Sequence, residues 1–113
     1  MKIINEGLSL VELIKMATAR FGDMVKAVVD VDRELIALDA ELHSDLESLL
    51  LKDGSKQTSL WGINFYPEAP SEDFIEFDSM INVRPSVGNR SRGVENETLR
   101  KKITAIVAKR ISR

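Results

Sequence analysis

The chain has 113 residues, 43% hydrophobic and 30% charged, with no cysteine and a net charge of −2. This describes one domain, residues 1–113, able to bury about two-thirds of its unfolded surface; it is too apolar for a disordered chain, and it has neither a disulfide framework nor a thiolate zinc site. No apolar run approaches the ~20 residues that cross a bilayer, and the first seven residues lack the apolar stretch of a signal peptide, so the expectation is a soluble, cytoplasmic protein with no membrane contact.

The small net charge hides a division. Residues 1–83 carry 7 Lys/Arg against 16 Asp/Glu, a balance of −9, whereas residues 84–113 carry 9 against 2, a balance of +7. Asymmetry of this kind predicts a basic segment that either meets an anion or docks on its own acidic body.

Ser9 and Glu12 have capping-box spacing, and Leu10, Leu13, Ile14 and Ala17 follow at helical spacing before Gly22. The pattern predicts an amphipathic helix over Leu10–Arg20. Residues 24–31 are rich in valine and residues 35–42 alternate, with Asp32, Arg33 and Glu34 between them. That reads as a hairpin. Ser44 and Glu47 repeat the capping-box spacing ahead of Leu46, Leu49 and Leu50, and Gly54 closes a short helix.

A third strand is expected over 60–66, with Trp61, Ile63 and Phe65 facing the core and Gly62 permitting close approach of another segment. A fourth is expected over 74–84, with a helical turn at 71–77 as the competing reading. Asn96 can cap a last helix whose stripe is Leu99, Ile103, Ile106, Val107 and Ile111. The order α-β-β-α-β-β-α predicts an α+β two-layer sandwich, a four-stranded and mainly antiparallel sheet with helices on one face.

Three constellations could carry chemistry. The loop Val87–Gly93 sets Arg90 and Arg92 around a serine, with glycines near both ends; together with Arg84 these guanidiniums could fork onto a phosphate. It has neither Walker nor dinucleotide spacing, and its arginines could equally pair with the acidic body. Asp39, Glu41 and His43 would line one strand face and could hold a divalent metal if the strand continued, but the Ser44–Glu47 pair argues that it stops. Glu76, Asp78, Asn82 and Arg84, with Asn64 as a neighbour, set paired carboxylates near an arginine and could support acid–base catalysis, although a solvent-facing strand shows the same alternation. The last helix adds Arg100, Lys101, Lys102, Lys109, Arg110 and Arg113, but no aromatic residue lies beyond Phe77 to stack on bases.

The stretches 60–67 (LWGINFYP), 77–86 (FDSMINVRPS) and 88–95 (GNRSRGVE), with the segment 41–45 (ELHSD), resemble a family of small prokaryotic proteins that is known as a domain of unknown function. The resemblance spans nearly the whole chain and implies no activity, substrate, cofactor or site residue.

Three readings therefore stand side by side. The first is a self-associating homodimer or other homo-oligomer, without a cofactor, that contacts anions through Arg84, Arg90 and Arg92. The second is a nucleic-acid-binding or ribonuclease-like module, for which the aromatics give no support. The third is an enzyme with a carboxylate and arginine site on an open sheet face.

Overall fold

The computed structural model describes all 113 residues. In chain order the elements are β1 (Lys2–Ile4), β2 (Leu8–Ser9), α1 (Leu10–Arg20), β3 (Val25–Asp30), β4 (Leu35–Leu38), α2 (His43–Lys52), β5 (Leu60–Phe65), β6 (Ile75–Glu76), α3 (Glu97–Arg110) and β7 (Ile111–Ser112). Five strands form one antiparallel sheet in the order β1-β4-β3-β5-β6, and β2 pairs in parallel with β7 beside it.

The fold is thus α+β with three helices and an antiparallel sheet, but the sheet has five strands, not four. The extra strand is β1, three residues at the N-terminus that pair with β4. They are too few to show an alternating pattern of their own.

Helices cover both faces, which corrects the expectation of a two-layer sandwich. Val25, Ala27 and Val29 of β3, Ile36 and Leu38 of β4, and Trp61, Ile63 and Phe65 of β5 pack with α1 and α3 through Leu13, Ala17, Ile103, Ile106 and Val107. The alternate positions Val28, Leu35, Ala37 and Leu60 pack with Leu46 and Leu50 of α2. Period-two alternation separates the two sets across the sheet. Every residue of β4 is buried for that reason, as expected of a strand covered on both sides.

Local chemistry sets most boundaries. Ser9 and Glu12 form the capping box, and Gly22 ends the segment with a left-handed φ of 92°. In the β3–β4 turn, Asp30 Oδ1 accepts from the amides of Asp32 and Arg33, and Glu34 takes a φ of 55°. Asp39, with a φ of 71°, ends β4 four residues before the predicted end. The second capping box does not form: α2 begins at His43 behind Leu42, with no side-chain cap, so Ser44 lies inside the first turn.

The predicted strand over 74–84 is the largest departure. Only Ile75 and Glu76 pair with β5; the 3-10 turns Ser71–Asp73, Met80–Asn82 and Pro85–Val87 take up most of what surrounds them. Ser79 caps one of these turns by accepting from the Ile81 amide. Asn96 accepts from Leu99 and starts α3, as its spacing predicts.

Gly62 is where the 79–82 segment meets the sheet. A Cβ at that position would lie 2.5 Å from Ser79 Cβ and 3.1 Å from Ile81 Cγ1. Strand propensity alone favours alanine there, so a loss of stability isolates the close approach. Gly62→Ala is expected to destabilise the protein by about 1–3 kcal/mol, measured by urea denaturation; an unchanged midpoint would show that the 79–82 segment can move aside.

Candidate functional site

Residues 79–95 fold as one polar loop against the outer edge of β5. β5 pairs with β3 along its whole length but with β6 only at Asn64 and Phe65. Side chains finish the edge. Asn82 Oδ1 accepts from the Gly62 amide and its Nδ2 donates to the Gly62 carbonyl, at 2.8 and 2.9 Å. Arg84 Nη2 donates to the Leu60 carbonyl at 2.7 Å.

A second buried asparagine ties the loop to itself. Asn89 Nδ2 donates to the carbonyls of Asn82, Ser91 and Gly93, and its Oδ1 accepts from the Glu95 amide. The backbones of Arg84 and Asn89 also exchange hydrogen bonds across a turn closed by Gly88, whose φ is 85°.

This loop, Trp61 and the first turn of α3 enclose a cleft of about 420 Å³, with Arg84, Asn89, Glu95, Asn96 and Leu99 among its walls. The Arg84 guanidinium stacks 4.8 Å above the Trp61 ring. Glu47 Oε2 stands 3.6 Å from Nη2, and Nη1 is buried without a partner. Burial holds the Arg84 pKa below its ordinary value and Glu47 opposes the shift; the guanidinium stays charged.

The three arginines singled out in the sequence are held differently. Arg84 is half-buried in the cleft wall, Arg92 Nε pairs with Asp78 Oδ1 at 2.7 Å, and Arg90 is exposed. Glu95 fills the loop's own anion position: its Oε2 accepts from the amides of Ser91 and Arg90 at 2.8 and 2.6 Å. Those two bonds hold its carboxyl below the usual range.

Asp39, Glu41 and His43 do not converge. Asp39 bonds Arg20, Glu41 is exposed 4.0 Å from the same arginine, and His43 is buried at the start of α2 with Nε2 2.8 Å from the Ile63 carbonyl. No three His, Cys, Asp or Glu side chains are grouped to hold a metal ion.

Among the acid–base candidates, Glu76 does meet Asn64 as anticipated. Its Oε1 accepts from Asn64 Nδ2 at 2.8 Å and from the Tyr66 hydroxyl at 3.3 Å. Burial, then the Glu76 carboxylate, raises the Tyr66 pKa. Asp78 is taken by Arg92, and both ends of the Asn82 amide are occupied on the β5 edge and the Arg92 carbonyl. Asn89 and Glu95, which build the cleft, carry no signal beyond their position in a polar loop.

Fold and site together define a small antiparallel α+β domain with an arginine-walled cleft beside a helix N-terminus. The chain belongs to the family described as a protein of unknown function (DUF5674), which matches residues 2–110. No curated protein and no solved structure matches the chain.

Two outcomes follow from the geometry. Asn89→Ala leaves three carbonyls and one amide without their side-chain partner, so it is expected to cost about 2–4 kcal/mol and to change Trp61 fluorescence as Arg84 loosens. Unchanged stability and emission would mean that the loop does not depend on Asn89.

His43 is held below its ordinary pKa, chiefly by burial. The unfolded chain therefore takes up a proton near pH 6.5 that the folded chain refuses. Stability should fall as pH drops below about 6.5 and level off beneath the folded pKa. Urea midpoints at pH 7.5 and 5.5 would show a smaller difference in His43→Gln than in the parent; equal differences would contradict the assignment.

Proposed function

We propose that the protein is a non-catalytic binding domain that recognises an anionic group, a phosphate or a carboxylate, in the Arg84–Trp61 cleft, and that it acts as a self-associated pair. Arg84 carries this reading. Its guanidinium is positioned by the indole below and by the Leu60 carbonyl, yet Nη1 has no acceptor and the nearest carboxylate is 3.6 Å from Nη2. A guanidinium held in place with one nitrogen unpaired beside the cleft suits a phosphate or carboxylate oxygen that reaches it by a small shift of the side chain.

The first turn of α3 supports the same sign of ligand. Asn96 and Leu99 bring it to the cleft, and the leading amides of a helix have no intrahelical acceptor and lie at its positive end. Glu95 on the rim opposes an anion, but its charge is already met by two amides. Exposed Arg90, next in the chain to Asn89 of the cleft wall, adds a positive charge to this loop.

A nucleic-acid reading would use the same phosphate chemistry with the exposed cations of α3, without stacking partners. The enzyme reading is weaker, because Asp78 and Asn82 are each committed to a structural partner.

Trp61, the chain's single tryptophan, lies against Arg84 and makes the cleft directly observable. Inorganic phosphate, a mononucleotide, and short RNA and DNA would be titrated at low and near-physiological salt. Saturable quenching is expected, weakened about tenfold or more in Arg84→Ala through loss of a charge-assisted bond. A small-ligand response assigns a free phosphate or nucleotide. A response confined to RNA or DNA, with affinity falling steeply in salt, assigns a polynucleotide. No response in any arm at low salt would contradict anion recognition.

A further inference from the structure

Beside Arg84 the cleft has a second place for an anion, and the chain fills it with its own carboxylate. The amides of Arg90 and Ser91 both donate to Glu95 Oε2, at 2.6 and 2.8 Å. Successive amides aimed at one point form the kind of backbone concavity that holds anions. Glu95 and Arg84 border the same cleft of about 420 Å³. The backbones of Arg84 and Asn89 are hydrogen-bonded to each other, and Arg90 follows Asn89. The two positions therefore belong to neighbouring segments of one site.

The loop keeps its shape by other contacts. Asn89 bonds the carbonyls of Asn82, Ser91 and Gly93, and it holds the Glu95 amide. The Glu95 side chain is exposed, so it can leave the two amides for water while its own amide stays on Asn89 Oδ1. The charges left around the position favour an anion. Arg90 is exposed and makes no ion pair, and Arg100 donates to the carbonyls of Val94 and Glu95. Arg92 is paired with Asp78. The remaining acids also have partners: Glu97 stands 3.8 Å from Lys101, and Glu47 stays beside Arg84.

Resting on anion recognition at Arg84, we infer that the ligand carries two anionic groups: one meets the Arg84 guanidinium, and the other takes the amides of Arg90 and Ser91 by displacing Glu95. In the free protein Glu95 stands in for that second group and competes with it. A diphosphate and a short dicarboxylate share this chemistry. A single phosphate or carboxylate uses Arg84 alone and leaves Glu95 seated. The exchange trades one set of charge-assisted bonds for another, so it favours a ligand whose first group already holds it in the cleft.

The test is titration of the parent and Glu95→Gln with orthophosphate, pyrophosphate and succinate. Trp61 fluorescence reports on Arg84, and the NMR resonances of the Arg90 and Ser91 amides report on the second position. Glu95→Gln keeps the shape of the side chain and removes the competing charge, with circular dichroism to verify the fold. In the parent, pyrophosphate or succinate is expected to quench Trp61 and to move both amide resonances along one binding curve; orthophosphate is expected to quench Trp61 alone. The variant should bind the two-group ligand at least about tenfold more tightly. Its gain for orthophosphate should stay within about threefold, the relief of one exposed charge. The larger gain, for pyrophosphate or for succinate, assigns the groups as phosphates or carboxylates.

Amides that stay still while Trp61 responds would overturn the second position and leave recognition at Arg84 standing. That readout needs only the parent, so it holds even if the variant fails to fold. Equal gains for orthophosphate and the two-group ligands would make Glu95 a repelling charge alone and overturn the displacement. Quenching by none of the three would overturn recognition of small anions at Arg84, and the second position with it.

Discussion

The structure depends on how the outer edge of β5 is closed. β5 is the strand through which β6 and the whole 79–95 loop attach to the sheet, yet backbone pairing on that side reaches only Asn64 and Phe65. The polar groups of Leu60 and Gly62 would otherwise face a dry loop, and buried backbone groups without partners are costly. One amide side chain, Asn82, takes both groups of Gly62, and Arg84 takes the Leu60 carbonyl. These contacts require close approach, which is why position 62 has no side chain.

From that closure the cleft follows. Asn82 also bonds the Arg92 carbonyl, Asn89 bonds the Asn82 carbonyl, and the Arg84 backbone is paired with Asn89. The loop is therefore fixed from inside by amides, which leaves the Arg84 guanidinium pressed on Trp61 at a defined place. Surface ion pairs contribute far less to this order. Arg92–Asp78, Lys109–Glu34 and Arg84–Glu47 join the basic segment to the acidic body, but the first two are exposed pairs of the kind worth about 0–1 kcal/mol. The charge division in the sequence is thus partly met within the molecule, and the exposed cations left on α3 and the loop are those available to a partner.

How much of this could be read beforehand depended on whether the signal was local. The helix over Leu10–Arg20, the β3–β4 hairpin, the Asn96 cap, the meeting of Asn64 with Glu76 and the close approach at Gly62 all rest on residues near one another or on a side chain that only glycine can omit. The layer arrangement was less legible, although the uninterrupted run Leu35–Leu38 is what burial on two faces produces. Ser44 and Glu47 imitate a capping box two residues too late, because His43 is held at the helix start by the carbonyl of a distant strand. The 74–84 segment alternates like a strand while Asn82 points inward at Gly62; an asparagine that finishes a sheet edge has the same local pattern as one facing water.

The claim that side chains complete the β5 edge can be measured at one atom pair. In amide hydrogen exchange followed by NMR, the Gly62 amide should be protected to the same degree as β3 core amides, since its acceptor is the buried Asn82 Oδ1. Exchange at Gly62 as fast as in the exposed Ser91–Arg92 turn would mean that the edge is open to water, and the account of how Arg84 is held would fail with it.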